Sequence, residues 1–146
     1  MAYISGERRA PQQGILEPDA RFRHILGDDV LAAAGEYAPA MDVLETAEAV
    51  EVLMDVPGVP AASLRLVYSQ GTLVIAGRKL PAACAHREAA FHLAERSFGR
   101  FVRAIRLAGA FDAGHASAGV TNGVLRIVLP RIEERRGREI RIEIRA

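Results

Sequence analysis

The chain contains no tryptophan and one cysteine, and aromatic residues make up only 5% of its 146 residues. Because Cys84 is alone, no disulfide can form within one chain. No stretch approaches the roughly 20 consecutive apolar residues that a membrane-spanning helix requires. The first thirty residues also lack the uninterrupted apolar run of a secretory signal. These shortages predict a cytoplasmic protein without internal disulfides.

Positive charge is carried almost entirely by arginine, because Lys79 is the single lysine beside eighteen arginines. The formal net charge is +1, and the positive charges are spread along the chain rather than gathered in one block. This balance argues against nucleic acid as the main partner. The planar guanidinium favours forked pairing with carboxylates, so arginine–glutamate contacts between chains are expected.

Residues 1–38 are predicted to form an N-terminal arm. Glycine and proline interrupt its first part, at Gly6, Pro11, Gly14 and Pro18. Apolar side chains then recur at helical spacing, at Phe22, Ile25, Leu26 and Val30. We therefore expect a short amphipathic helix in the arm, weakened by Gly27.

From Tyr37 onward the apolar period changes from helical to alternating, and turn signals recur about every 8–12 residues, as in an all-β sandwich. This pattern predicts a single β domain over residues 39–130. Pro57-Gly58 and Gln70-Gly71 are predicted turns, and Asn122-Gly123 is the strongest hairpin signal because a type I′ turn needs positive φ twice. Residues 78–90 are predicted to be a long loop that leads into a short strand at Phe91–Glu95.

Residues 131–146 are predicted to form a C-terminal extension, in which a charged linker around Gly137 precedes an alternating segment. In an extended backbone Ile140, Ile142 and Ile144 lie on one face and charged residues on the other. An isolated strand of this kind is unstable in water. It is expected to bind an apolar groove at a sheet edge, although a further strand of its own domain is the alternative.

Several motifs in residues 39–146 resemble the small heat-shock protein family. Three of them occur in the family's order: Pro39-Ala40-Met41-Asp42-Val43-Leu44-Glu45-Thr46, Asp55-Val56-Pro57-Gly58-Val59 and Glu95-Arg96-Ser97-Phe98-Gly99-Arg100-Phe101. A more specific motif, Ala118-x-x-x-Asn122-Gly123-Val124-Leu125, looks like the signature that closes the family's α-crystallin domain, and the I-x-I tail follows it.

The resemblance implies an all-β, immunoglobulin-like antiparallel sandwich of about seven strands. It implies a dimer in which the short strand carrying Phe91, His92, Leu93 and Glu95 is exchanged between subunits, with Arg103 at the interface. It also implies a groove lined by Leu64, Leu66 and Tyr68, with Ser117 opposite, that receives the tail of a neighbouring dimer. The implied function is that of a chaperone that holds unfolding proteins without ATP, with itself and those client proteins as partners.

Two features keep alternative interpretations open. Arg103 falls on an apolar strand face, so either it pairs at an interface or it extends to water at a sheet margin. The first 38 residues lack the Trp- and Phe-rich pattern common in bacterial members of the family. The amphipathic segment Phe22–Leu31 within them either packs within the oligomer, contacts clients or rests on its own sandwich. A rival function is a co-chaperone-type binding module on the same sandwich that has one defined partner.

No cofactor or catalytic site is predicted. His86 and His92 lie near Cys84, but their spacing matches no closed tetrahedral metal set. Residues 71–79 lack the order of a phosphate-binding loop, and no serine lies in a recognisable nucleophile motif. We therefore expect the chain not to be an enzyme. The alternative, a metal-dependent enzyme that uses the loop histidines, is tested by metal analysis of the purified protein.

Overall fold

A computed structural model of the chain describes residues 15–16 (backbone only), 37–81, 86 and 88–132. Within these ranges the chain forms eight strands and two single 3₁₀ turns, Ala61–Ser63 and Ala113–His115. The strands are β1 (Ile15–Leu16), β2 (Met41–Glu45), β3 (Ala49–Asp55), β4 (Arg65–Ser69), β5 (Thr72–Lys79), β6 (Gly99–Arg106), β7 (Ser117–Thr121) and β8 (Val124–Pro130). The predicted arm helix, Cys84 and the isoleucine tail lie outside the described residues.

The strands form two four-stranded antiparallel sheets, as the alternating pattern predicted. Sheet A has the order β1-β6-β5-β4, and sheet B has the order β2-β3-β8-β7. The chain divides into two compact units. The first comprises residues 1–39 and 58–107 and contains sheet A, and the second comprises residues 40–57 and 108–146 and contains sheet B.

Two hairpins turn where the sequence predicted, and the one at Asn122-Gly123 has the predicted turn type. Gln70 and Gly71, between β4 and β5, have φ of 49° and 77°. Asn122 and Gly123, between β7 and β8, have φ of 52° and 75°. Two successive positive φ angles define the type I′ turn, whose twist matches that of the strands it joins. The turns thereby set the register of both pairs, since turn type and loop length determine which residues pair.

Sheet B buries one row of apolar side chains from its two central strands. Three directly paired sets make up this row: Val50 with Leu129, Val52 with Ile127, and Met54 with Leu125. All six side chains are buried. On the opposite face the Arg126 guanidinium forms an exposed ion pair with Glu51, a contact worth at most about 1 kcal/mol. The buried row is therefore what stabilises this sheet.

Sheet A differs, because its two central strands are buried on both faces. The first face carries Leu73, Ile75, Phe101 and Ile105, and the second face carries Val74, Ala76, Val102 and Ala104. Strands covered on both sides read as continuous apolar runs rather than alternating ones, which fits Leu73 to Ala76. The sequence pattern had identified Leu73 and Ile75 but not the second row.

Lys79, at the end of β5, is almost completely buried. Its ammonium group lies 5.0 Å from the centre of the Tyr37 ring and 5.7 Å from that of Phe98. Tyr37 in turn meets Phe101 edge to face, with ring centroids 5.8 Å apart. Cation–π contacts of this kind are worth about 0.5–2 kcal/mol. They fasten the residues that precede β2 and the end of the long loop onto sheet A.

Gly77 permits a close approach within sheet A. A Cβ atom at this position would lie 2.6 Å from Cζ of Phe101 and 3.0 Å from Cδ2 of Leu64. Neither distance is compatible with van der Waals contact, and the Phe101 ring is fully buried. Glycine here is a packing requirement, consistent with glycine inside a strand marking the close approach of another group.

We predict that Gly77→Ala lowers the free energy of unfolding by about 1–3 kcal/mol, the usual cost of overpacking a core. Gly119→Ala is the matched control, because Gly119 also lies in a strand but a Cβ there would meet no atom within 4 Å. The control should change stability by less than about 0.5 kcal/mol. Urea unfolding at one fixed protein concentration measures both, and equal midpoints would contradict the packing argument.

Candidate interaction surfaces

Strands β4, β2 and β7 lie at sheet edges, with one neighbouring strand each among the described residues. An edge strand presents unpaired backbone N–H and C=O groups on its open side, which another extended segment can satisfy. These edges are therefore the candidate interaction sites, and the predicted site residues fall on or beside them.

The β4 edge carries the apolar part of the predicted tail groove. Leu66 pairs with Ile75 and Tyr68 with Leu73, so both belong to the first face of sheet A. Both are half-buried in the single chain, as is Leu64. Burial raises the pKa of the Tyr68 phenol, through its desolvation. Three incompletely covered apolar side chains at a spacing of two thus line this edge.

Ser117, the predicted opposite wall of the groove, begins the exposed edge strand β7 in the second unit.

The signature motif that follows Ser117 has a structural explanation. The carbonyl of Gly123 accepts a 2.7 Å hydrogen bond from the Val56 amide. Leu125 is buried, and the exposed Ala118 lies within β7, paired with Ile127. Val124, half-buried, starts β8. The motif therefore builds the β7–β8 hairpin, and the groove that would join Ser117 to the β4 residues stays a prediction.

The turn before β7 is held by Asp112. Its carboxylate accepts hydrogen bonds from the amides of Gly114 (3.1 Å) and His115 (3.3 Å) and also bonds the His115 ring. The His115 ring is the main cause that lowers the pKa of Asp112 below its usual value. Because this pKa is depressed on folding, the contribution is present at neutral pH and is lost as the pH falls through the acid range.

The β2 edge is exposed, and the apolar side chains of Val43 and Leu44, which lie on its two opposite faces, are both exposed. The C-terminal end of β2 is held by Arg131. Its guanidinium forms an ion pair with Glu45 and donates a hydrogen bond from Nε to the Thr46 carbonyl at 3.2 Å. The Arg131 guanidinium also lies 5.4 Å from the centre of the Phe111 ring. The sequence analysis had placed Arg131 in the C-terminal extension, residues 131–146, because nothing local distinguishes it from the arginines that follow.

Residues 88–98, the end of the long loop, form no strand in the single chain, contrary to the strand predicted at Phe91–Glu95. A short extended segment needs the backbone of a neighbouring strand to persist. Phe91 and Leu93 are 88% and 73% exposed, and His92 and Glu95 are exposed as well. In an extended segment Phe91 and Leu93 share one face.

Arg103 lies in the middle of β6, on the first face of sheet A and paired with Ile75. One terminal nitrogen donates a 2.6 Å hydrogen bond to the carbonyl of Pro39. Its Nε is buried and has no hydrogen-bond partner. A buried unpaired donor costs about 1–3 kcal/mol. The side chain is therefore anchored rather than fully extended to water, and one of its donors is left for a further acceptor.

The described residues contain no group of three or more histidine, cysteine or acidic side chains that could hold a metal ion. His86 and His92 are both exposed, and Cys84 lies outside the described ranges. In the same part of the chain no helix has the length and apolarity needed to cross a bilayer.

Comparison with known proteins identifies the family. The Hsp20/alpha crystallin family profile matches residues 42–145. The 21.9 kDa heat shock protein of Oryza sativa subsp. japonica is 36% identical, over 76% of this chain and 60% of its own length. Heat shock protein 16 of Schizosaccharomyces pombe is 33% identical, over 68% of this chain and 71% of its own. The chain belongs to the Hsp20/alpha crystallin family.

Solved structures agree with this assignment. Heat shock protein 16.0 from Schizosaccharomyces pombe matches with a TM-score of 0.62 and 31% identity, covering 76% of this chain and 78% of that protein. A small heat-shock protein from Xylella fastidiosa, which has a distinct high-order structure, matches with a TM-score of 0.63 and 26% identity, covering 75% and 100%. The predicted fold class, the antiparallel β-sandwich of the α-crystallin domain, is confirmed.

Membership in this family supports a chaperone role and not an enzymatic one, in agreement with the sequence prediction. The chain spans 60% of the length of the Oryza sativa relative. The activity of the whole protein, its assembly and its partners are therefore treated as proposals.

Proposed function

We propose that this protein is a holding chaperone that binds unfolding proteins without ATP and assembles with copies of itself through its open strand edges. The observation that carries the proposal is the exposure of large apolar side chains, Val43, Leu44, Phe91 and Leu93, on a folded domain. Folded monomers rarely leave such groups together at open edges unless another chain covers them.

The first assembly step is a dimer that exchanges the segment Phe91–Glu95. The β2 edge offers free backbone groups beside Val43 and Leu44, and the segment offers Phe91 and Leu93 without a strand partner. Adding the segment of one subunit to β2 of the other would pair the backbone groups of β2 and would give the segment a strand partner. The orphaned Nε of Arg103 supports an acceptor supplied by the same association.

The second step is docking of the C-terminal tail of one dimer on another. Leu64, Leu66 and Tyr68 remain half-buried at the β4 edge, with room for further apolar cover. The alternating isoleucines at positions 140, 142 and 144 have the spacing that such an edge accepts. Arginines and glutamates between them would stay in water.

Client binding follows from the same surfaces. A protein that binds unfolded chains reduces the concentration of free aggregation-prone species by mass action, and this requires no nucleotide. Heat weakens the contacts that hold subunits together, so apolar edges become available when clients unfold. We propose that clients are held at these edges until other chaperones refold them.

The purified protein is expected to suppress the aggregation of a heat-labile model enzyme at about one subunit per client, to the same extent with and without ATP. Light scattering at the heating temperature measures aggregation, and native mass measured alongside gives the assembly state. A monomer without holding activity would overturn the proposal. A dimer without holding activity would favour a binding module with one defined partner.

Replacing Phe91 and Leu93 with serine is expected to raise the dimer dissociation constant at least about tenfold, since each side chain buried at the interface is worth about 1.5–3 kcal/mol. Leu80→Ser is the matched control, because Leu80 is an exposed leucine near the start of the same loop. Analytical ultracentrifugation across a concentration series measures the constant. An unchanged constant in the double variant would exclude the exchanged segment from the interface.

Replacing Ile140 and Ile142 with alanine is expected to reduce the particle to dimers, because the tail loses the side chains that fill the groove. Replacing Arg141 and Glu143 with alanine is the control, since these residues alternate with the isoleucines and would face solvent. Multi-angle light scattering gives the particle mass. Native-sized particles from the isoleucine variant would rule out the tail as the assembly element.

A further inference from the structure

The strands β4, β5 and β6 of sheet A carry positive charge and no negative charge. Neither residues 58–81 nor residues 98–111, which contain these strands, include an aspartate or a glutamate. The basic residues in the three strands are Arg65, Arg78, Lys79, Arg100, Arg103 and Arg106.

Sheet B has the opposite balance. Its strands contain one basic residue, Arg126, beside the acidic residues Asp42, Glu45, Glu51 and Asp55. The two sheets therefore differ in the sign of the charge that they present at their open edges.

Two arginines bring the positive charge of sheet A to the β4 edge. Arg65 lies in β4 itself and pairs with Ala76, and Arg78 lies two residues beyond Ala76 in the neighbouring strand. Both are exposed, and both lie on the second face of the sheet. Positions on this diagonal are about 7–8 Å apart, which is within reach of long side chains. No ion pair of the described part of the chain involves either guanidinium.

The first face of the same edge is apolar, with Leu64, Leu66 and Tyr68 half-buried in the single chain. Side chains alternate along a strand, so an extended segment that pairs with the open side of β4 presents its side chains in turn to the two faces. Every second side chain meets the apolar residues, and the side chains between them lie on the face of Arg65. The edge therefore distinguishes the two faces of any strand that is added to it.

We propose that the β4 edge selects, among unfolding proteins, extended segments that alternate apolar and acidic side chains. The apolar side chains contact Leu66 and Tyr68. A carboxylate directly opposite Arg65 is within reach of the guanidiniums of both Arg65 and Arg78, and a guanidinium pairs with a carboxylate through two parallel hydrogen bonds. This inference names a class of client and rests on the proposed function.

The β2 edge would reject the same segments. Asp42 is exposed in the middle of β2, and a carboxylate placed directly opposite it would be repelled. An acidic segment is thus directed to β4, although both edges carry apolar side chains.

The apolar face of the β4 edge also decides between an acidic strand and a polyanion. A polyphosphate chain would contact the arginines, but it has nothing to place against Leu64, Leu66 and Tyr68. An alternating strand matches both faces and the backbone groups of the edge.

Three end-blocked peptides of about seven residues, each with a fluorescent label, test the selection. One alternates valine with glutamate, one alternates valine with lysine, and one has the composition of the first with its glutamates in a single block. Fluorescence anisotropy measures their dissociation constants for the full-length chain. The chain carries Ile140→Ala and Ile142→Ala, so that the tail, which the proposed assembly places at the same edge, does not compete.

We expect the valine–glutamate peptide to bind at least about fivefold more tightly than the valine–lysine peptide at low salt. The difference should shrink as salt is raised, because exposed ionic contacts are weak and screened. Arg65→Glu should bring the two dissociation constants within about twofold of each other. Arg106→Glu is the matched control, because Arg106 is exposed on the same face but lies two strands away from β4, and it should leave the preference in place.

Equal binding of the glutamate and lysine peptides, or no binding of either, would overturn the proposal. So would a preference for glutamate that survives Arg65→Glu, since the selecting charge would then lie elsewhere. Binding of the blocked peptide or of inorganic polyphosphate as tightly as the alternating peptide would indicate a general polyanion site instead. Peptide binding is measured without heat or client aggregation, so this selection and the holding activity can fail separately.

Discussion

Backbone hydrogen bonding between strands is the constraint on which the interactions of this protein depend. The inner strands of each sheet are hydrogen-bonded to antiparallel neighbours on both sides. The outer strands have one described neighbour each. An open edge is stable only when water, a covering segment or another chain satisfies its groups. In this chain the edges also carry apolar side chains, on β2 and β4, so the proposed association would satisfy backbone and side chains together.

The core of each sheet is independent of its edges. In sheet B the buried row lies on the two central strands, and in sheet A both faces of β5 and β6 are covered. Exposed ion pairs such as Arg126–Glu51 add little. Because stability comes from the centre, another segment can add to an edge strand without disturbing the core.

Local sequence predicted the parts of the fold that depend on local chemistry. The type I′ turn at Asn122-Gly123 and the tight turn at Gln70-Gly71 followed from their residues, since positive φ is a property of a few residue types. The alternation of Val50, Val52 and Met54 predicted a buried strand face. The strand at Phe91–Glu95 was not formed in the single chain, because an extended segment persists only beside a second backbone.

By itself, then, the sequence determined most of the strands, the positions of the hairpin turns and the family, because period and turn chemistry are local properties. Only the tertiary structure decided that both faces of sheet A are buried, that Arg131 fastens the end of β2, and that Arg103 bonds the Pro39 carbonyl. Arg103 and Pro39 are 64 residues apart in the chain. Contacts over such separations depend on the packing of whole strands, which no local pattern encodes.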